Sequence, residues 1–327
     1  MVIESPDDLD APRLLLLQAL AQEGYRFRTP APSTQHRVRA GRFGRPARTL
    51  EDVFGWSLPF VEHGPLACWG GRLAEAGALE RLGLGRVRSR LRVASVGRRL
   101  FLHSAFPAPA RDGVFFGPDS YRFADFIASH AGPPRPQAAI LDVGAGAGVG
   151  GIVAAGLWPG AQLTLSDVNA QALGLARVNA AAAGLPAGLA LCPGVPDKLG
   201  SFDLILANPP YIGGGKRKTY SNGGKRGMEM TLDWTRQALA QLSPSGRFLL
   251  YSGSPIGRGG CDALRPQLET AARVAGCSLA YGELDPDVFP SSLLHRAYWG
   301  VERIAAIGAV FAREDGPKPR QTVGAAP

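Results

Sequence analysis

The 327-residue chain has no long hydrophobic run. Its only all-leucine stretch, Leu14 to Leu17, is far short of the ~20 apolar residues that a membrane-spanning helix needs. No basic segment followed by a long apolar core offers a secretory signal, so the expectation is a cytoplasmic protein without a membrane partner. Cysteine is scarce. Cys68, Cys192, Cys261 and Cys277 are the whole set, and the absence of C-x-x-C spacing leaves them as reduced thiols rather than a metal or redox motif. The histidines His36, His63, His103, His130 and His295 are scattered, so neither a metal-ligand cluster nor a Ser/His/Asp arrangement is expected. Lysine is missing before residue 114, where 17 arginines accompany 11 acidic residues; the remainder has 19 basic and 16 acidic residues, so the N-terminal part carries +6 of the +9 net charge. A length of 327 residues suggests about two domains, and 45% hydrophobic content is normal for a globular fold.

What the chain does have is a pair of motifs about sixty residues apart. Phe202 to Ala207 reads as a buried strand, and Asn208-Pro209-Pro210-Tyr211 ends it, because proline donates no N–H to a sheet. The carboxyl end of a central strand is where an open α/β sheet binds its ligands. Asn208 brings a side-chain carbonyl, the prolines stiffen the backbone carbonyls, and Tyr211 adds a flat face with a polar tip. Such a set suits a planar N–H₂ group, whose hydrogens are accepted while its lone pair is left free.

Upstream, Ala139 to Val143 reads as another buried strand that runs into Gly144-Ala145-Gly146-Ala147-Gly148-Val149-Gly150-Gly151 and then an apolar helix to Leu157. Glycines at a strand-to-helix turn allow close approach of a ligand to the backbone. The next strand, Gln162 to Ser166, ends at Asp167, where a carboxylate can accept both hydroxyls of a ribose. A nucleoside cofactor is the expectation. Gly146 to Gly151 also satisfies the G-x-G-x-x-G dinucleotide pattern, so these residues alone leave an NAD enzyme open.

Taken together, Asp142-Val-Gly-Ala-Gly-Ala-Gly, Ser166-Asp-Val-Asn and Asn208-Pro-Pro-Tyr resemble the class I S-adenosylmethionine-dependent methyltransferases. The similar branch is the one whose fourth strand ends in Asn-Pro-Pro-Tyr: the methyltransferase small domain, release-factor glutamine methyltransferases, adenine-N6 DNA methyltransferases and guanine-N2 ribosomal RNA methyltransferases. The resemblance spans about residues 114 to 313. It implies an α/β, Rossmann-like, seven-stranded sheet, with S-adenosylmethionine as the cofactor and methyl transfer to a nitrogen as the reaction. By resemblance, Gly144, Gly146 and Gly148 lie under the amino-acid portion of the cofactor, Asp142 near its ammonium and Asp167 at the ribose, with Val168 and Asn208 also in the cofactor site. Asn208 and the Pro209 carbonyl orient the acceptor nitrogen, with Pro210 stiffening the turn and Tyr211 stacking on the acceptor. Asp119, in Gly117-Pro118-Asp119-Ser120-Tyr121, belongs to a segment that closes over the cofactor and also begins a helix to His130, with Asp119 or Ser120 as its cap. The acidic residue often found after the third strand is missing: Leu191-Cys192-Pro193-Gly194 follows, and Asp197 comes too late. Adenine recognition is then left to backbone groups and apolar contacts.

The acceptor is open among a protein glutamine, a nucleic-acid base and a small molecule. An alternative keeps the cofactor and drops the acceptor: in enzymes similar to azetidine-2-carboxylate synthases, the α-amine of S-adenosylmethionine attacks its own γ-carbon and releases methylthioadenosine. A noncatalytic nucleic-acid-binding protein is a third reading.

Residues 1–113 read as an accessory domain, 114–313 as the methyltransferase domain and 314–327 as an unfolded tail. In the first part, Ala11 to Gln22, Leu50 to Gly55 with Thr49 as N-cap, and Leu66 to Leu82 read as helices. Arg86 to Val93 alternates strictly and places Arg86, Arg88, Arg90 and Arg92 on one face of a strand, with Arg98 to Ser104 as its partner after Gly97. Helices followed by a hairpin resemble a small winged-helix module, usable as a lid or along nucleic-acid phosphates. Arg37, Arg39, Arg42, Arg45 and Arg48 read as a basic loop. After Tyr211, a loop with Lys216, Arg217, Lys218 and Tyr220 is a candidate substrate contact. A helix from Met228 to Leu242 and strands at Arg247–Ser252, Ser278–Glu283 and Arg303–Phe311 complete the expected sheet.

Overall fold

The computed structural model describes residues 8–107, 112–197, 199–213 and 227–313. Lys216, Arg217, Lys218, Tyr220 and the 314–327 tail lie outside them.

Two helices, α1 (Asp10–Gln22) and α2 (Pro32–Gly41), open the chain. The second takes in Arg37 and Arg39 of the expected basic loop, while Arg42, Arg45 and Arg48 follow it outside any helix or strand. Pro32 pre-sets its first turn, and Arg39 ties it down by donating to the carbonyls of Trp56, Ser57 and Phe106. A wide helical turn, Glu51–Gly55, follows; its N-cap residue is Leu50 rather than the expected Thr49, whose hydroxyl accepts from Asp52 N–H at 3.2 Å. The expected helix over Leu66 to Leu82 is shorter. After β1 (Phe60–Val61), α3 (Ala67–Glu75) stops at Gly77, whose φ of +65° is left-handed, and Leu79–Gly83 forms β2 instead. Strand β3 (Arg86–Ser89) lies between β1 and β2.

The arginine stripe survives only as far as Arg90: Arg86 and Arg90 are exposed and Arg88 half-buried, but Arg92 leaves it. The chain breaks at Arg90 between β3 and β4 (Leu91–Val96), and β4 pairs with β5 (Arg99–Ser104) as a separate hairpin. Arg88 is paired with Glu80 at 2.8 Å, and Arg92 turns inward, 3% exposed, to donate to the Gly55 carbonyl at 2.8 Å. A buried guanidinium needs such an acceptor, and alternation alone does not reveal which arginines find one.

The second part begins with α4 (Pro118–His130), whose N-cap is Gly117; the Ser120 hydroxyl reaches back to Gly117 N–H, so neither Asp119 nor Ser120 is itself the cap residue. Then come β6 (Ala139–Val143), α5 (Val149–Leu157), β7 (Gln162–Asp167), α6 (Ala170–Ala182), β8 (Ala187–Leu191) and β9 (Phe202–Ala207). After α7 (Glu229–Ala240), the long β10 (Leu242–Gly257), the short β11 (Cys261–Asp262), α8 (Arg265–Val274), β12 (Cys277–Asp285) and β13 (Val301–Arg313) close the fold. The strands run in the order β12-β13-β10-β9-β6-β7-β8, with β11 added beside β10. Strands β8 to β10 are parallel, and β13 inserts antiparallel between β10 and β12. This is the expected α/β, Rossmann-like sheet, carrying an additional N-terminal helical and hairpin region. Near-continuous apolar sequence in β6 and β9 follows from helices covering both faces.

The N-terminal region shares its core with one face of that sheet: Leu16, Phe54 and Phe101 belong to the same apolar cluster as Ile127, Ile152 and Leu165. Buried Asn179 on α6 joins the two polar frameworks. Its amide N–H₂ donates to the carbonyls of Leu102 (3.0 Å) and Ala147 (2.9 Å), and its oxygen accepts from Leu102 N–H (2.8 Å).

Candidate active site

Strands β6, β7, β8 and β9 all end at one cavity of ≈ 480 Å³. Asp119, Asp142, Gly144, Gly146, Asp167, Val168, Asn208, Pro209, Pro210 and Tyr211 line it. Of the described candidates only Gly148 does not. It takes a left-handed φ of +79° as the N-cap of α5, and an added Cβ would lie 3.2 Å from Ala176, so its part is to turn the chain. Gly144 and Gly146 are left-handed too, at +67° and +55°.

Three carboxylates face this space, and no lysine or arginine is among its described lining residues. Asp142 is 2% exposed; it accepts from Gly151 N–H at 2.7 Å, yet burial pushes its carboxyl up to about 7, with Asp167 adding repulsion. Asp167 accepts from the N–H groups of Gly146 (2.9 Å) and Asn169 (2.8 Å), and burial raises it as well. Asp119, 5% exposed and also raised by burial, accepts from the Tyr251 hydroxyl at 2.7 Å and from Arg122 at 3.2 Å; Arg122 in turn reaches Asp285 at 2.6 Å.

Asn208 is half-buried at the end of β9 and Pro209 is buried. Tyr211 is more enclosed than a free stacking platform. Its ring lies against the backbone of Gly253, where an added Cβ would come within 2.3 Å, and it meets Tyr251 and Phe289 edge-on. Its buried hydroxyl stands near Asp119 but makes no hydrogen bond there.

Sequence reasoning did not find Phe115, Phe123, Trp234 and Phe289, which supply aromatic wall. They come from four separate segments, and no local pattern marks them. Asp197 is exposed and off the cavity, as expected, while Cys192, Pro193 and Gly194 line it. Among the described residues no His/Cys/Asp/Glu group could hold a metal, and no helix is long and apolar enough to cross a membrane.

Residues 120–256 match the family model of the methyltransferase small domain. The chain is 34% identical over 136 residues to ribosomal RNA small subunit methyltransferase C of Serratia proteamaculans, which covers 35% of this chain and 39% of that protein. It is 44% identical over 80 residues to release factor glutamine methyltransferase of Chlorobaculum tepidum, covering 22% and 27% respectively. Matches thus span less than two fifths of the length of these curated relatives. Among solved structures, a 16S rRNA N2 methyltransferase of T. thermophilus, in complex with AdoMet and guanosine, superposes with a TM-score of 0.45 at 18% identity, over 75% of this chain and 62% of that one. The matched segment runs from α4 into β10 and contains both motifs, in keeping with the expected methyltransferase that uses S-adenosylmethionine.

Proposed function

We propose that the protein transfers a methyl group from S-adenosylmethionine to a nitrogen acceptor, and that the acceptor is a base of RNA. The observation that carries the cofactor reading is the charge of the cavity. Buried Asp142 and half-buried Asp167, neither with a basic partner, together with Asp119, whose partner Arg122 is not on the wall, call for a cationic ligand, and S-adenosylmethionine has both an ammonium and a sulfonium. The same carboxylates would repel the pyrophosphate of a dinucleotide, which argues against NAD.

In this reading Asp142 holds the ammonium, Asp167 the ribose hydroxyls, and Gly144 and Gly146 let the backbone pass close beneath. When bound, the cofactor supplies a methyl group on a positively charged sulfur. The protein then contributes chiefly by positioning, which is worth about 7–11 kcal/mol of barrier in well-oriented reactions. The Asn208 side-chain carbonyl and the Pro209 carbonyl accept the acceptor N–H₂ hydrogens, and Pro210 keeps that turn stiff. Asp119 and Tyr211 border the same space. We take 114–313 as the catalytic part. RNA is favoured among acceptors by the names of the relatives and by the exposed arginines of the N-terminal part, including Arg37, Arg45, Arg86, Arg90 and Arg98.

The test is incubation with S-adenosylmethionine, alone and with ribosomal RNA, DNA or release factor, followed by product analysis. S-adenosylhomocysteine formed only with RNA is the expected result. Formation with release factor instead would reassign the acceptor. Methylthioadenosine formed with no acceptor would replace methyl transfer by internal ring closure, and neither product with cofactor retained would leave a binding protein.

A further inference from the structure

The connection between β12 and β13 starts on the cavity wall and carries apolar surface out to its rim. Phe289 lines the cavity, and further along the buried Tyr298 hydroxyl accepts from Gly213 N–H at 2.7 Å, just beyond the Asn208 to Tyr211 turn. Around these two anchors the chain faces outward. Leu294 is 88% exposed and Trp299, the neighbour of Tyr298, is 72% exposed; among the described residues neither joins an apolar cluster.

Cations stand beside this indole. The Arg296 guanidinium lies 5.9 Å from its centroid, and with so much of the residue in solvent at least one face is open. Exposed Arg258 reaches the same end of the sheet, because a Cβ on Gly257 would stand only 3.4 Å from the Gly300 carbonyl. Exposed His295 adds a polar ring, and the exposed acids nearby in the chain are Asp287 and Glu302.

We propose that Trp299 is a stacking platform at the rim of the acceptor cavity, taking a base of single-stranded RNA next to the target base, with Arg258 and Arg296 on the flanking phosphates. The inference rests on the RNA reading above. A base whose amino group reaches Asn208 inside the cavity has left its stack, so the adjoining base loses a partner. An open indole replaces that partner whatever the sequence, since every base has a π face, and guanidinium groups pair with phosphate oxygens. A duplex keeps its bases covered and offers the indole little.

The full-length protein, titrated with a labelled, unstructured single-stranded oligoribonucleotide and with a fully paired RNA duplex, tests it by fluorescence anisotropy. Trp299→Phe should hold the single strand within about threefold of the wild type, and Trp299→Leu, apolar but without a face, should lose at least about fivefold. Duplex affinity should change by less than about twofold in both variants, because it depends on phosphates. Calorimetric affinity for S-adenosylhomocysteine should be unchanged in both, which shows the cavity intact. A smaller loss of single-strand binding in Trp299→Leu, or an equal loss for the duplex, would overturn the platform and leave the RNA reading standing. A dimer in sedimentation that Trp299→Leu dissolves would assign the face to a second copy of the chain and overturn it too. A wild-type protein that binds neither RNA would sink the RNA reading, and the platform with it.

Discussion

Asp142 carries an ionisation that ligand binding has to drive. Its carboxyl is raised to about 7, well above an ordinary aspartate, so below that pH the free protein holds it protonated. A folded-state value above the unfolded one means that its contribution to stability is present at low pH and lost as pH rises through about 7. A ligand ammonium prefers the ionised form. Affinity for S-adenosylhomocysteine should therefore increase as pH rises toward 7 and level off above it, at most tenfold per pH unit. Asp142→Asn should flatten that dependence and weaken binding, while making the free protein more stable at pH 8 than the parent; calorimetry and thermal melts across pH check both. At the strand end, Asn208→Ala should abolish turnover and leave S-adenosylhomocysteine affinity within a few-fold, a split that single-turnover assays and titration read separately.

At the scale of elements, the site depends on how closely β10 approaches the turn after β9. Gly253 offers the Tyr211 ring a bare backbone, and a methyl group there would intrude to 2.3 Å. Gly253→Ala should push Tyr211 off its seat and reduce turnover at least tenfold, with far-ultraviolet circular dichroism unchanged. What the sequence disclosed follows the same division between local and distant contacts. The glycine loop, the acid at the end of β7 and the proline stop after β9 are rules of local backbone chemistry, and all three lead to the cavity. Helix α2 was not legible, because Arg39 satisfies carbonyls 17, 18 and 67 residues away. The alternation at Arg86 to Val93 misled for a related reason: Arg92 is held by Gly55, 37 residues back. Trp234 and Phe289 reach the wall only through packing of α7 and the β12–β13 connection, which no spacing encodes.

Over the whole molecule, the N-terminal region and the sheet are continuous in apolar packing, so thermal unfolding should be a single transition when followed by near-ultraviolet and far-ultraviolet signals together. Asn179→Leu removes all three bonds that join Leu102 and Ala147 to α6. Each buried backbone group left unpaired costs about 1–3 kcal/mol, so the midpoint should fall by several degrees. Affinity for S-adenosylhomocysteine should fall with it, because Ala147 belongs to the glycine loop. If RNA is the acceptor, the net charge of +9 makes its binding weaken steeply between low and physiological salt, which filter binding at several ionic strengths measures.

The Asn179 bridge also sets an order of events for a chain leaving the ribosome. Strand β5 is synthesised nearly eighty residues before the amide that completes its edge, an interval of several seconds at about 5–20 residues per second. Until α6 emerges, the hairpin has water or a chaperone where Asn179 will stand. The hairpin is therefore completed only once α6 has emerged, although it is made well before it.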